Sequence, residues 1–283
     1  MRIALVTDTN SGIRPDEARQ LNIEILPMPF FIDGKVYYED VDLSTSEFYD
    51  AQASGCNITT SQPSPGDVTA LWDRLLQNHD AIVHIPMSSG LSNSCATAQM
   101  LALEYGGRVQ VADVRRISMT QRQAALDALR LIERGWDPVQ IRVRLEETAL
   151  HSSIYVTPNT LTYLKKGGRI TPAAAAIGTV LNIKPVLQIQ GGKLDALAKV
   201  RGMRQATNCM LNALRDDLSG RFSEKRVKIM AAYSGSDEVG QHWLNWVQKQ
   251  FPGQEICGAP LSLSIGCHTG PNAIGLGCSE YEE

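Results

Sequence analysis

At 283 residues, 43% hydrophobic and 20% charged, the chain can bury a sizeable core, and its length implies one large or two ordinary domains. A formal net charge of −3 with both signs dispersed supplies no basic stripe, which argues against nucleic acid or an anionic membrane surface as partner, and the apolar runs are too short for stable membrane insertion. The six cysteines (Cys56, Cys95, Cys209, Cys257, Cys267 and Cys278) have neither CxxC spacing nor the density of a disulfide scaffold, so they read as reduced thiols of a cytoplasmic protein. Asp8 ends the first apolar run too early for a signal peptide, and no run reaches membrane-spanning length.

In chain order, residues 3–6 predict a buried strand ending in a polar loop, and residues 23–32 an extended stretch in which Pro27 and Pro29 exclude a regular helix. Residues 65–78 predict a helix, with Pro65 at its start and Val68, Leu71, Trp72, Leu75 and Leu76 at helical spacing. A strand at 81–85, a helix at 93–105 closed by Gly106-Gly107, a strand at 108–112 and helices at 119–134 and 138–149 follow. Strands alternating with helices imply parallel pairing.

Beyond residue 150 the pattern changes. A strand at 151–156, a short helix at 159–166 stopped by Gly167-Gly168 and a hairpin over 184–200 turning at Gly191-Gly192 come first. A helix at 203–218, a strand at 227–233, a helix at 237–250 and a strand near 255–263 complete the reading. The expected fold class is α/β in two domains. Residues 1–150 form an N-terminal parallel-sheet α/β domain, and residues 151–283 a C-terminal α+β domain with a largely antiparallel sheet. A groove between domains is a favoured place for a ligand.

Three polar segments stand out: Thr59-Thr60-Ser61-Gln62-Pro63-Ser64, Ser88-Ser89-Gly90-Leu91-Ser92-Asn93-Ser94 and His268-Thr269-Gly270-Pro271. The second lies between a strand and a helix start, where unpaired amides attract an anion and serine hydroxyls add donors. Each segment has a plainer reading: Ser92 or Ser94 as a helix cap, Ser64 as the N-cap of the next helix, His268 as a structural histidine in a turn after a strand. His79, His84, His151 and His242 have no ligand spacing with His268, which argues against zinc. Lys165-Lys166-Gly167-Gly168-Arg169 reads as a C-capped helix, and the small-residue run 173–181 as a packed helix with room beside it for an apolar channel. Tyr37, Tyr38, Phe48 and Tyr49 read as packing.

Gly90-Leu91-Ser92-Asn93-Ser94 approaches the G-x-S-x-G nucleophile elbow. A serine hydrolase or esterase using Ser92 and His268, with Asp237 or Glu238 orienting the imidazole, is therefore the alternative function. Against it, Ser94 replaces the last glycine and no oxyanion segment is present. Walker, dinucleotide and HExxH motifs are absent from the sequence.

Taken together with Val6-Thr7-Asp8-Thr9 and Leu164-Lys165-Lys166-Gly167-Gly168-Arg169-Ile170, the three polar segments make the chain resemble the DegV family of fatty-acid-binding proteins, the acyl-carrying subunits of bacterial fatty-acid kinase. The resemblance implies a non-catalytic, cytoplasmic carrier with no cofactor. It would bind a long-chain fatty acid between two domains, tail buried, and present the carboxylate to a separate ATP-dependent kinase that makes an acyl phosphate. Carried over by motif, the carboxylate ligands are Thr60, Ser61, Ser92 and His268, supported by Ser89, Gly90, Asn93, Arg169 and Arg201. Asn93, Ser94 and Asn272 depart from the family pattern, as does Asp113-Val114-Arg115-Arg116-Ile117-Ser118.

Overall fold

The computed structural model describes residues 1–176, 183–190 and 192–283. Most of the 173–181 run and Gly191 of the hairpin turn lie outside the described residues.

A four-stranded, all-parallel sheet has the order Ile23–Leu26, Ile3–Asp8, Ala81–Ile85, Val109–Val111. Its central strands are buried on both faces, as their mostly apolar sequences favour, with His84 and Thr7 buried among them. Helices Pro65–Leu75 and Ser94–Ala102 pack one face around Trp72 and Cys95. Met119–Glu133 and Pro138–Glu147 pack another cluster around Leu5, Val83 and Leu131.

The second sheet has six strands in the order Asp195–Arg201, Ile183–Ile189, Ser152–Thr157, Ile274–Glu280, Val227–Tyr233, Ile256–Pro260. All its pairings are antiparallel except the last. The α/β class with one parallel and one mostly antiparallel sheet is thus as expected. Helices Gly202–Ser219 and Asp237–Gln250 supply Met210, Leu214, Trp243 and Val247 to the second core.

Several elements differ from expectation. Pro27 and Pro29 divide the 23–32 stretch: Ile23–Leu26 joins the parallel sheet, while Phe30–Ile32 pairs with Lys35–Tyr37 and Ile58–Thr60 in a small antiparallel sheet. The short helix after the first strand of the second sheet is Thr162–Gly167. The strand placed at 255–263 ends at Pro260, and a helix, Leu263–Thr269, follows it. His268 therefore stands in the last turn of a helix and not in a turn after a strand. Ser262 caps that helix by accepting the Ile265 N–H at 3.3 Å.

Two contacts bring the sheets' loops together. An added Cβ on Gly90 would meet the Gly192 backbone at 2.7 Å, so the hairpin turn seats directly on the serine-rich turn. Arg116, 2% exposed, donates to Ser279 Oγ at 3.0 Å and to the carbonyls of Ala149 and Thr148, while its own carbonyl accepts the Ser88 N–H at 2.8 Å. A guanidinium without water must find such acceptors, and these tie the serine turn to both sheets.

Candidate functional site

Thr60 ends its strand opposite Phe30. Its Oγ1 lies 2.9 Å from His268 Nε2. The histidine is fixed by everything packed against its helix. Leu263 and Cys267 sit among Phe30, Phe48 and Ile58, Glu39 Oε2 accepts the Leu263 N–H at 3.0 Å, and Gln52 Nε2 donates to Gly266 O at 3.2 Å. Behind the ring lies Gly167, where a Cβ would come within 2.0 Å of Nδ1. That glycine is what lets the imidazole reach Thr60.

Burial, then the charge of Arg169, lowers the His268 pKa to about 4, so the ring is neutral near pH 7. Its buried Nδ1 has no partner among the described residues. An orphaned N–H is rarer and costlier than an orphaned lone pair, which places the proton on Nε2. His268 then donates to Thr60 Oγ1, and the threonine's own proton is free to donate elsewhere.

The serine-rich turn is pinned from beneath. Asp8, fully buried, accepts the Met87 N–H at 2.7 Å, the Asn10 N–H at 3.0 Å and Gln121 Nε2 at 3.2 Å. Burial still raises its pKa to about 6. Ser88 closes the turn by accepting from Leu91 N and Ser92 N through its carbonyl and from Gly90 N through Oγ. Ser92 Oγ accepts the Ser94 N–H at 3.2 Å and keeps its own proton to donate. Asn93 is the N-cap residue by position but makes no side-chain cap bond. Arg169 bridges to this turn, with Nε on Leu91 O at 3.4 Å and Nη1 on Gly167 O at 2.5 Å.

Three spaces meet at these residues. A cavity of about 60 Å³ is lined by Thr60, Ser61, Ser92, Arg169 and His268, together with Asn10 and several apolar side chains. A second, of about 90 Å³, is walled by Ile154, Val156, Ile189, Met230 and Leu276 among others. The two share five lining residues: Leu91, Ile117, Leu194, Ile265 and Thr269. On the other side a surface cleft of about 490 Å³ shares Thr60, Arg169 and His268 with the first cavity. Sequence reasoning missed Asn10, Met28 and Ile117, which line the polar cavity. Asn10 follows the carboxyl end of the first strand, where ligands gather in parallel α/β sheets, and that was a usable signal.

Four expected supporting residues do not reach these spaces. Ser89 is exposed and donates to Asp113 Oδ2 at 2.6 Å. Gly90 is occupied by its contact with Gly192. Asn93 faces solvent. Arg201 lies at the end of the edge strand, exposed, with its backbone N–H on Gln205 Oε1 at 2.9 Å.

A hydrolytic triad is not assembled. His268 Nε2 is engaged by Thr60 instead of Ser92, no carboxylate meets Nδ1 among the described residues, and a ring with a pKa of about 4 is a poor base. Asp237 accepts instead from Tyr233 Oη at 3.3 Å. Among the described residues no group of three or more His, Cys, Asp or Glu side chains is placed to hold a metal ion.

A larger space lies elsewhere, a groove of about 650 Å³ beside Arg14, Glu39 and Asp40. Its charged walls are already paired, Arg14 with Glu39 and Asp40, and Glu24 with Arg74. Size alone does not make it the better site.

A family model described as "Uncharacterised protein, DegV family" matches residues 2–280. A DegV domain-containing protein of Deinococcus radiodurans is 30% identical over 279 residues, covering 98% of each chain. A structure from Thermus thermophilus described as "Fatty Acid Binding of a DegV family Protein" superposes with a TM-score of 0.88 at 30% identity, covering 99% of this chain and 100% of that one. One from Bacillus subtilis, described as "DegV, a fatty acid binding protein", gives 0.85 at 27% identity, covering 99% of each. No helix among the described residues is long and apolar enough to cross a membrane.

Proposed function

This chain belongs to the DegV family, and on that premise we infer that it is a carrier that binds one long-chain fatty acid and presents the carboxylate to a separate, ATP-dependent fatty-acid kinase. The observation that carries this reading is the meeting of Thr60, Ser61, Ser92, Arg169 and His268 on one small cavity that shares five walls with an apolar one. The Thermus and Bacillus structures, described as fatty acid binding, support the ligand class.

The division of labour follows from magnitudes. Apolar burial stabilises by roughly 0.8 kcal/mol per methylene, so a tail of about fifteen groups offers on the order of 10 kcal/mol before ordering costs of several kcal/mol. Affinity then comes mainly from the tail. Neutral hydroxyl donors on Thr60 and Ser92 prevent the head group from being buried unpaired, which would cost several kcal/mol for a charge. We assign the tail to the two inner cavities, whose walls adjust as the ligand enters. Met28, Met87, Met119 and Met230 line those cavities, and unbranched thioethers repack at little cost. Positioning is the carrier's contribution, and the phosphoryl chemistry belongs to the kinase.

Mass spectrometry of a solvent extract tests the carrier directly: protein purified gently from bacteria should release fatty acid near one equivalent. An extract empty of lipid would overturn the reading. Ser92→Ala with Thr60→Ala should lower kinase-coupled phosphorylation more than lipid retention. A fluorophosphonate probe should leave Ser92 unlabelled, and stoichiometric labelling lost in Ser92→Ala would instead favour the esterase.

A further inference from the structure

One short helix, Leu263–Thr269, connects the groove beside Arg14 with the polar cavity. Its cap, Ser262, lines the groove, whereas Ser264, Ile265, His268 and Thr269 line the cavity. Two side chains hold its start. Ser262 Oγ donates to Asn10 Oδ1 at 2.8 Å, and Glu39 Oε2 accepts the Leu263 N–H at 3.0 Å. Glu39 Oε1 lies 3.5 Å from Arg14 Nη1, so the carboxylate reaches from a surface arginine to the helix start, with its own side chain only 10% exposed. A neutral amide would satisfy one N–H without the cost of burying a charge, so an ionisable group here calls for a reason. Burial raises the Glu39 pKa to about 7; the Leu263 N–H and Arg14 act against that rise, and Asp40 adds to it. Tyr49 and Cys267, packed in the cluster below, have pKa values raised by burial and stay neutral near pH 7. Elsewhere on the groove, His79 Nδ1 lies 3.0 Å from Leu75 O, and Arg19 and Glu24 are paired with Asp16 and Arg74.

We propose that Glu39 is a positioning residue for the lipid site: its ionised carboxylate fixes the start of the helix that carries His268, and uptake of a proton from solvent there loosens the hold on the fatty acid. The inference rests on the carrier reading above and extends it to release. An ionised acceptor holds an N–H about twice as strongly as a neutral one, and a negative charge is favoured at the positive end of a helix. A proton on Glu39 removes both effects, together with the pairing to Arg14. Packing seats the imidazole itself, so the change is one of grip and not of fold. Stability runs the other way. Because folding raises the Glu39 pKa from 4.5 to about 7, its contribution to stability is fully present below pH 4.5 and is lost as pH rises through 7. The protonated form favours the fold and the ionised form favours retention. That opposition separates a positioning role from a scaffolding one.

The dissociation rate of radiolabelled palmitate from the full chain, followed between about pH 6 and about pH 8.5, tests this. Wild type should release palmitate about fivefold faster at the acid end, with a midpoint near pH 7. Glu39→Gln should release it fast throughout, changing less than about twofold, while urea unfolding at the alkaline end finds it at least as stable as wild type. Arg14→Gln is the independent check: losing the cation raises the Glu39 pKa, so the midpoint should move to higher pH. A Glu39→Gln profile that follows wild type overturns the proposal, since titration of palmitate or of Asp8 would then be responsible. An unmoved midpoint in Arg14→Gln overturns it, and so does a Glu39→Gln protein that loses retention and stability together. If wild type holds palmitate at a rate independent of pH, the proposal fails and the carrier reading stands. If it holds none at any pH, the carrier reading itself has failed.

Discussion

The two sides of the Thr60–His268 pair are built to opposite rules. Inward, the walls are aliphatic and sulfur-bearing side chains drawn largely from the six-stranded sheet, Ile154, Val156, Ile189 and Leu276, in a space with almost no competing donors. Outward, the same pair faces hydroxyls, a lysine and an arginine open to solvent. An apolar wall gives affinity without direction, whereas a donor-rich wall fixes one end of a ligand and leaves it reachable. The difference teaches that a neutral histidine can divide two dielectric environments provided its ring is held in place by packing and not by charge.

The sharpest way to break this contrast is to carry outward chemistry inward. Leu194 lines both inner cavities and is 7% exposed. Leu194→Glu should lower fatty-acid affinity at least about a hundredfold, because an unpaired charge in an apolar wall costs several kcal/mol. Retention of radiolabelled palmitate, with circular dichroism to establish folding, reads it; unchanged retention would place the tail elsewhere.

The frame beneath both sides is tested by acid. His84 is 2% exposed in the central parallel sheet, both ring nitrogens lack hydrogen-bond partners among the described residues, and the ring meets Trp72 edge to face at 5.6 Å. Burial lowers its pKa from 6.5 to about 3. The native state therefore holds it neutral, and its contribution is full above pH 6.5 and declines as pH falls toward 3. His84→Phe keeps the edge-to-face contact and abandons no hydrogen bond. It should flatten the acid limb of the stability curve by on the order of 2 kcal/mol at pH 5, measured by urea unfolding across pH. A limb unchanged in slope would refute this assignment.

Gly167→Ala sharpens the dividing wall itself. The new methyl would displace the imidazole from Thr60, and we expect about a tenfold loss of fatty-acid affinity with a smaller loss of thermal stability. The histidine C2 proton, followed by NMR, should shift on the substitution; an unmoved resonance would mean the ring finds another seat. Smallest is Arg201→Ala, which lies on neither side and should alter lipid retention by less than about twofold. A large loss there would extend the site to the edge strand.

Much of this frame was legible in the sequence where one signal dominated. Ala81–Ile85, Val227–Tyr233 and Asp237–Gln250 fall where apolar period and turn residues place them. The strand Ile274–Glu280 did not, because Gly275 and Gly277 interrupt its apolar pattern. Yet it sits mid-sheet, and at Gly277 a Cβ would stand 2.3 Å from Ser153 O, so the glycine is there for close strand approach. The helix Thr45–Ala53 was also missed, although Ser44 and Glu47 form a capping box that could have announced it. Thr60, Ser61, Ser92, Arg169 and His268 were found as motifs. Their chemistry was readable, but the helix that presents His268 was hidden by its shortness and by flanking Pro, Ser and Gly. The Ser89 hydroxyl and the Asn93 amide turn away from the cavities, which was not legible because a turn shows residue type in sequence but not which way each side chain faces.

The most direct measurement is anomalous diffraction from crystals grown with a fatty acid carrying bromine at its terminal carbon. The carboxylate should lie within hydrogen-bonding distance of Thr60 Oγ1 and Ser92 Oγ, with the bromine peak among Ile154, Met230 and Leu276. A bromine peak in the groove beside Arg14 and Glu39, or a tail lying outward along Lys166, would contradict the account.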